Sequence, residues 1–148
     1  MRYAEDFVVG ERTSLGYYTI TADEITRFAR DYDPQPYHLS ADAAETSAFG
    51  GLVASGWNTA CIWMRLYVQV GLKDAVAAGS PGVDEMRWYA PIAPGTTLIG
   101  TVEVLGHVPS PFERDIVTIR KKGTLATNTD EKPVFSLIIH SRLAKRPS

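Results

Sequence analysis

Between Gly56 and Val70 the chain has no proline and no internal glycine. Trp57, Ala60, Cys61, Ile62, Trp63, Met64, Leu66, Tyr67, Val68 and Val70 would cover nearly the whole circumference of a helix. Only Asn58, Arg65 and Gln69 form a narrow polar stripe. A helix apolar almost all round is a buried one. The segment therefore predicts a central helix about 20 Å long, at ~1.5 Å per residue. Ser55 is its natural N-cap and Gly71 its C-terminal stop. Cys61 is expected inside as a small structural hydrophobe, and Arg65 requires a partner, a carboxylate or a group at a subunit interface.

The wrapping for such a helix comes from the second half of the chain. Strands are predicted over Asp84–Tyr89, Thr97–Leu105, Arg114–Lys122 and Val134–Leu143, with a weaker one near Ser14–Ile20. Pro91, Pro94-Gly95, Pro109-Ser110-Pro111 and Asn128-Thr129-Asp130 punctuate them. Their lengths suit antiparallel strands joined by short loops. After residue 83 there is little room for helices, which argues against parallel βαβ units. The class expected is α+β, a single domain over 1–148 with a frayed tail from about residue 145. One helix covers only part of one sheet face, so apolar surface and an edge strand are left seeking a partner. At least a homodimer is expected.

At 148 residues the chain can bury a sizeable core without disulfides or structural metal. The net charge of −2 provides no field that would draw it to nucleic acid. One cysteine excludes a disulfide framework within the chain and a cysteine-based zinc site. The N-terminus lacks a basic region followed by an apolar core, and no run of ~18 apolar residues exists. The expected setting is cytoplasmic, with no membrane partner.

Nearer the N-terminus, Thr21-Ala22-Asp23-Glu24 reads as a capping box. It predicts a helix from about Asp23 to Arg30, with Ile25, Phe28 and Ala29 on one face. Pro34 and Pro36 bias Asp33 and Gln35 toward extended backbone, so Asp31 to His38 is expected to be a stiff non-helical loop. Ser40 should cap another short helix, Ala41–Thr46.

The densest polar constellation lies in that loop: Asp33-Pro34-Gln35-Pro36-Tyr37-His38. A carboxylate can act as base or orient an imidazole, and an imidazole titrates near neutrality and can donate or accept a proton. A proline-rich turn that merely satisfies its own backbone has the same composition. A second constellation is Phe49-Gly50-Gly51-Leu52-Val53-Ala54-Ser55-Gly56. Its glycines permit close approach to the backbone. Gly56 opens the central helix, where amide groups are unpaired and sit at the positive end of the dipole. Such amides can hold an enolate oxygen on a thioester carbonyl. A tight loop entering a buried helix would use the same small residues.

Together, Asp33-x-Gln35-Pro36-x-His38, Phe49-Gly50-Gly51 and Ala54-Ser55-Gly56 resemble the MaoC-like acyl dehydratases, also called (R)-specific enoyl-CoA hydratases or hydratase 2 proteins. Their signature runs Gly-Asp-x-Asn-Pro-(aliphatic)-His with a small residue six further on. Asp33, Pro36, His38 and Ala44 fall in register with it, and the stretch Pro81 to Trp88, followed by Pro91 and Pro94-Gly95, resembles the family as well. The resemblance spans nearly the whole chain. It implies the hot-dog fold, a long helix wrapped by an antiparallel sheet, assembled as dimers or larger sets of dimers. It also implies that Asp33 and His38 are a catalytic pair activating one water for syn addition across an α,β-unsaturated acyl thioester. The Gly56 amide would be the oxyanion donor, with Ser55 beside it in the pocket. No metal or bound cofactor is implied, because the CoA or carrier-protein thioester is itself the substrate. Three positions depart from the signature: Gln35 replaces Asn, Tyr32 replaces Gly, and Tyr37 replaces an aliphatic residue. With Trp57, these residues are expected to line the substrate pocket, where a tyrosine would narrow it or bond a polar acyl group. Two other functions stay open: a thioesterase on the same fold, using a carboxylate to activate water at the carbonyl, and a non-catalytic acyl-CoA or small-ligand binding protein.

Among the remaining residues, Arg120-Lys121-Lys122 with Arg87 and Arg114 is a candidate contact for CoA phosphates, though short charge runs are usually solvated faces. His107 and His140 have no metal spacing and read as structural. Tyr17 and Tyr18 read as strand and interface residues.

Overall fold

The structure is a computed structural model and describes all 148 residues. Five antiparallel strands form one sheet: β1 (Arg12–Thr19), β2 (Gly82–Trp88), β3 (Thr97–Pro109), β4 (Ile116–Thr127) and β5 (Pro133–Ala144), in the order β1-β3-β4-β5-β2. Four helices precede β2 in the chain: α1 (Ala22–Tyr32), α2 (Pro36–Leu39), α3 (Ala41–Glu45) and α4 (Gly56–Leu66), and a π-helical turn, Tyr67–Gly71, extends α4. No helix is long and apolar enough to cross a membrane.

All five strands expected from the sequence are present, and β3 and β4 run further than expected. Along β4 burial alternates: Val117, Ile119, Lys121 and Leu125 are buried on one face, Leu125 in the core with α4 and Val117 and Ile119 against Ala4 and Phe7, while Arg120 and Lys122 are exposed. Trp63 anchors α4 to this surface. Its indole lies over Gly123, where a Cβ would come within 2.2 Å of the ring, and its Nε1 donates to the Thr101 carbonyl at 3.1 Å. Gly123 is thus a seat for the helix. Ile62, Leu66, Phe135, Leu137 and Ile139 complete the core around Trp63.

The central helix is present, yet it is not buried all round. Trp57, Cys61, Met64, Arg65 and Val68 are exposed, while Asn58, from the expected polar stripe, is buried and its Nδ2 has no hydrogen-bond partner. The sheet curls around one side of α4 only, so one chain does not cover the apolar remainder. Cys61 therefore faces outward, and Arg65 meets a ring face rather than a carboxylate, with its guanidinium 5.7 Å from the Tyr18 ring centre.

Helix α1 continues past Arg30 to Tyr32. Pro34 constrains only the residue before it, and Asp33 is the first to leave helical backbone (φ −151°, ψ 70°). Pro36 does not prevent a helix either. It occupies the first position of α2, where its missing amide costs nothing. The non-helical stretch is therefore only Asp33–Gln35. Thr21 caps α1 by accepting from the Glu24 amide, but the Glu24 carboxylate accepts from the Tyr18 hydroxyl at 2.8 Å, so the box closes on one side only. Ser40 caps α3 as expected. The tail expected to fray is tied down, with Lys145 donating to the Asp115 carbonyl and the Arg146 guanidinium paired with Asp6.

Candidate active site

Asp33 and His38 come together because a short extended link joins two helices. Asp33 ends α1, and α2 turns His38 back toward it, placing His38 Nε2 3.4 Å from Asp33 Oδ2. The imidazole is buried at 6% exposure. Its Nδ1 lies 2.6 Å from the Val53 carbonyl oxygen. An oxygen there only accepts, so Nδ1 carries the hydrogen, and in the neutral ring Nε2 presents its lone pair toward the carboxylate.

Asp33 is held from both sides. Oδ1 accepts from Gln35 Nε2 at 2.7 Å, and Oδ2 accepts from Ser55 Oγ at 2.7 Å. Partial burial pushes the Asp33 carboxyl up, but the Ser55 hydroxyl, the Gln35 amide and the His38 imidazole outweigh it, so its pKa lies below the ordinary carboxylate value. Ser55 also caps α4, accepting from the Trp57 amide. One hydroxyl thus fixes the helix start and the carboxylate together.

Gly56 begins α4, and its amide has no acceptor in the chain. The need for glycine here is steric. A Cβ would come within 2.6 Å of the Trp88 indole, whose Nε1 donates to the Gly56 carbonyl at 2.7 Å. Asp33, His38, Gly56, Gln35, Tyr37 and Trp57 all line one cavity of about 410 Å³, with Phe49, Thr59, Trp88, Tyr89 and Ile92 among its other walls. Most of the lining is apolar and the polar groups are few, the usual pattern of a small-molecule site.

Two expected pocket residues lie elsewhere. Tyr32 is 74% exposed at the end of α1, packed on Phe28, because α1 continues two residues past Arg30 and carries it away from the cavity. Ser55 is fully buried behind Asp33 and is not part of the wall. Trp88 and Tyr89 are walls that residue-by-residue reading did not single out. The available signals were their place at the end of β2, just before Pro91, and the family resemblance of the stretch that ends at Trp88. The basic cluster also divides. Lys121 points into the core, and Arg114 lies between β3 and β4 outside the grooves. Lys122 joins Arg12, Lys132, Thr124 and Ser136 around a groove of about 520 Å³ that shares Tyr89 with the main cavity. His107 and His140 bond the Phe7 carbonyl and the Asp84 carboxylate, each at 2.6 Å.

A family profile described as MaoC like domain matches residues 9–127. The chain belongs to the MaoC-like dehydratase family. It is 31% identical over 133 residues to an (R)-specific enoyl-CoA hydratase of Rhodospirillum rubrum, an alignment covering 85% of this chain and 83% of that protein. The crystal structure of a MaoC-like dehydratase from Rhodospirillum rubrum matches it with a TM-score of 0.90 and 33% identity, covering 100% of both chains. An (R)-hydratase from A. caviae involved in PHA biosynthesis shares the fold at a TM-score of 0.71 and 22% identity, covering 97% of this chain and 100% of that one. The single sheet around α4 is the hot-dog fold of these MaoC-like proteins.

Proposed function

We propose that this protein is a hydro-lyase that hydrates an α,β-unsaturated acyl thioester, or dehydrates the 3-hydroxy acyl thioester, with CoA as carrier. The observation that supports this best is the convergence of two proton acceptors, Asp33 Oδ2 and His38 Nε2, on a cavity that also receives the free Gly56 amide. Two acceptors 3.4 Å apart can both be reached by one water lying beside them on the cavity side. As the water oxygen bonds to Cβ, its proton passes to the Asp33–His38 pair. Electron density moves onto the thioester oxygen, where the Gly56 amide stabilises it. The pair then delivers the proton to Cα on the same face, giving syn addition. The dehydration runs these steps backwards, and hydroxide leaves as water. Neither direction calls for a metal or bound cofactor.

CoA as carrier is supported by the adjoining groove. Three cations and three hydroxyl-bearing residues, Tyr89 among them, line it without a carboxylate, a composition suited to phosphate. The relative from Rhodospirillum rubrum, an (R)-specific enoyl-CoA hydratase by name, supports the same carrier. We assign the working form as at least a homodimer, in which a second copy covers Trp57 and Met64 on α4 and Val68 on the turn that extends it. The test is loss of enoyl absorbance on adding purified protein to short, medium, branched and dicarboxylic enoyl-CoA thioesters, with thiol release followed in parallel. The expected result is hydration without thiol release, abolished in Asp33→Asn. Thiol release without enoyl loss would make the protein a thioesterase, and binding without either reaction would make it a ligand-binding protein.

A further inference from the structure

Asp33 depends on a long amide that has no rigidity of its own. Gln35 is exposed and carries one methylene more than asparagine would. An exposed glutamine with three side-chain torsions pays entropy to stay in one orientation. Yet its Nε2 donates to Asp33 Oδ1 at 2.7 Å. The other end of the same amide explains how. The Tyr37 hydroxyl donates to Gln35 Oε1. With the amide oxygen engaged by a donor, the NH₂ group is the end turned to the carboxylate. Tyr37 is itself fixed: its ring packs on Phe49 at 5.0 Å and edge-on against His38 at 4.5 Å. Pro34 and Pro36 stiffen the backbone that carries all four side chains.

From this arrangement we infer that Tyr37 is a positioning residue for the reaction, acting through Gln35 to hold Asp33 Oδ1 and leave Oδ2 aimed at His38. The two departures from the family signature, glutamine for asparagine and tyrosine for an aliphatic residue, thereby form one unit. The tyrosine hydroxyl supplies the fixation that the longer amide lacks. The same unit favours the ionised carboxylate, because each link ends in a hydrogen bond donated toward Asp33. The inference rests on the proposed acid–base role of Asp33.

The test is the pH profile of kcat/KM for hydration of a short enoyl-CoA by wild type, Tyr37→Phe, Gln35→Leu and the double variant. Tyr37→Phe keeps the ring against Phe49 and His38 and removes only the hydroxyl. Its kcat is expected to fall about tenfold, because the loosened Gln35 amide no longer keeps its charge-assisted bond to Asp33. KM should stay within about twofold, since uniform binding is untouched. The acid limb should move up by about half to one pH unit as Asp33 becomes a weaker acid. Gln35→Leu should give the same displacement, and the double variant should be no worse than Gln35→Leu alone. A raised KM with unchanged kcat and acid limb in Tyr37→Phe would make it a pocket wall only and overturn the inference. So would additive losses in the double variant. Asp33→Asn is the control. If it is inactive while Tyr37→Phe has the wild-type profile, the unit alone fails. If Asp33→Asn turns over normally, the acid–base reading fails and takes the inference with it.

Discussion

Lys121 offers a measurable test of the physical account because it is a charge in the wrong place. It is 1% exposed, and its Nζ donates to the Tyr67 hydroxyl at 2.8 Å and sits 4.0 Å from the centre of the Phe7 ring. No carboxylate lies within ion-pair distance. Burial, with the Arg2 charge adding to it and Glu11 opposing, lowers the amine from 10.5 to about 7. At ~1.4 kcal/mol per pH unit, that difference is worth about 5 kcal/mol. Contact with the Phe7 face returns about 1–2 kcal/mol of it. The folded pKa lies below the unfolded one, so between pH 7 and 10.5 the unfolded chain binds the extra proton. Stability should therefore rise with pH across that window, and the full penalty applies below it. Lys121→Met keeps the stem and removes the charge. Urea unfolding of wild type and variant at pH 7, 8 and 9 reads the difference, with contributions from all other groups cancelling. The variant is expected to be more stable by about 1–4 kcal/mol at pH 7, what is left of the burial cost once the Phe7 contact and the bond to the Tyr67 hydroxyl are subtracted. Its advantage should shrink by about 1 kcal/mol per pH unit. A variant less stable than wild type, with a parallel pH dependence, would refute the reasoning and show the ammonium to be held favourably by the Phe7 and Tyr67 rings.

Two further outcomes follow from the same geometry. Gly56→Ala should displace the Trp88 indole and cost about 1–3 kcal/mol of stability in urea unfolding, because the added Cβ has no room; an unchanged midpoint would mean that Trp88 moves freely. Val68→Asp, on the uncovered side of α4, should shift the protein toward monomer in sedimentation, since a charge there blocks an apolar interface; an unaltered oligomer would place the interface elsewhere.

The parts of the fold that depend on local chemistry were readable in the sequence. Ser55 and Ser40 announced two helix starts, the proline and glycine turns separated the strands, and the unbroken stretch after Gly56 marked the central helix. Which side of that helix is buried was not readable, because the answer depends on how far one sheet can curl around it. At the site, the spacing of Asp33 and His38 across two prolines left their pairing open, and only the family resemblance implied it. The bond from Ser55 to Asp33 joins residues 22 apart and appears only when α4 docks beside α1. Trp88 against Gly56 is longer-range still. Lys121 lay hidden in an apparent basic run because strand alternation sends one member of the triplet inward.

The central claim is that Asp33 and His38 act as one unit on one water. The measurement that tests it most directly is the hydration rate of a short enoyl-CoA by wild type, Asp33→Asn, His38→Ala and the double variant, each verified as folded. The account predicts that each single variant loses several powers of ten in kcat, and that the double variant loses about as much as either alone, as residues acting together do. Near-normal turnover in either folded single variant would contradict it.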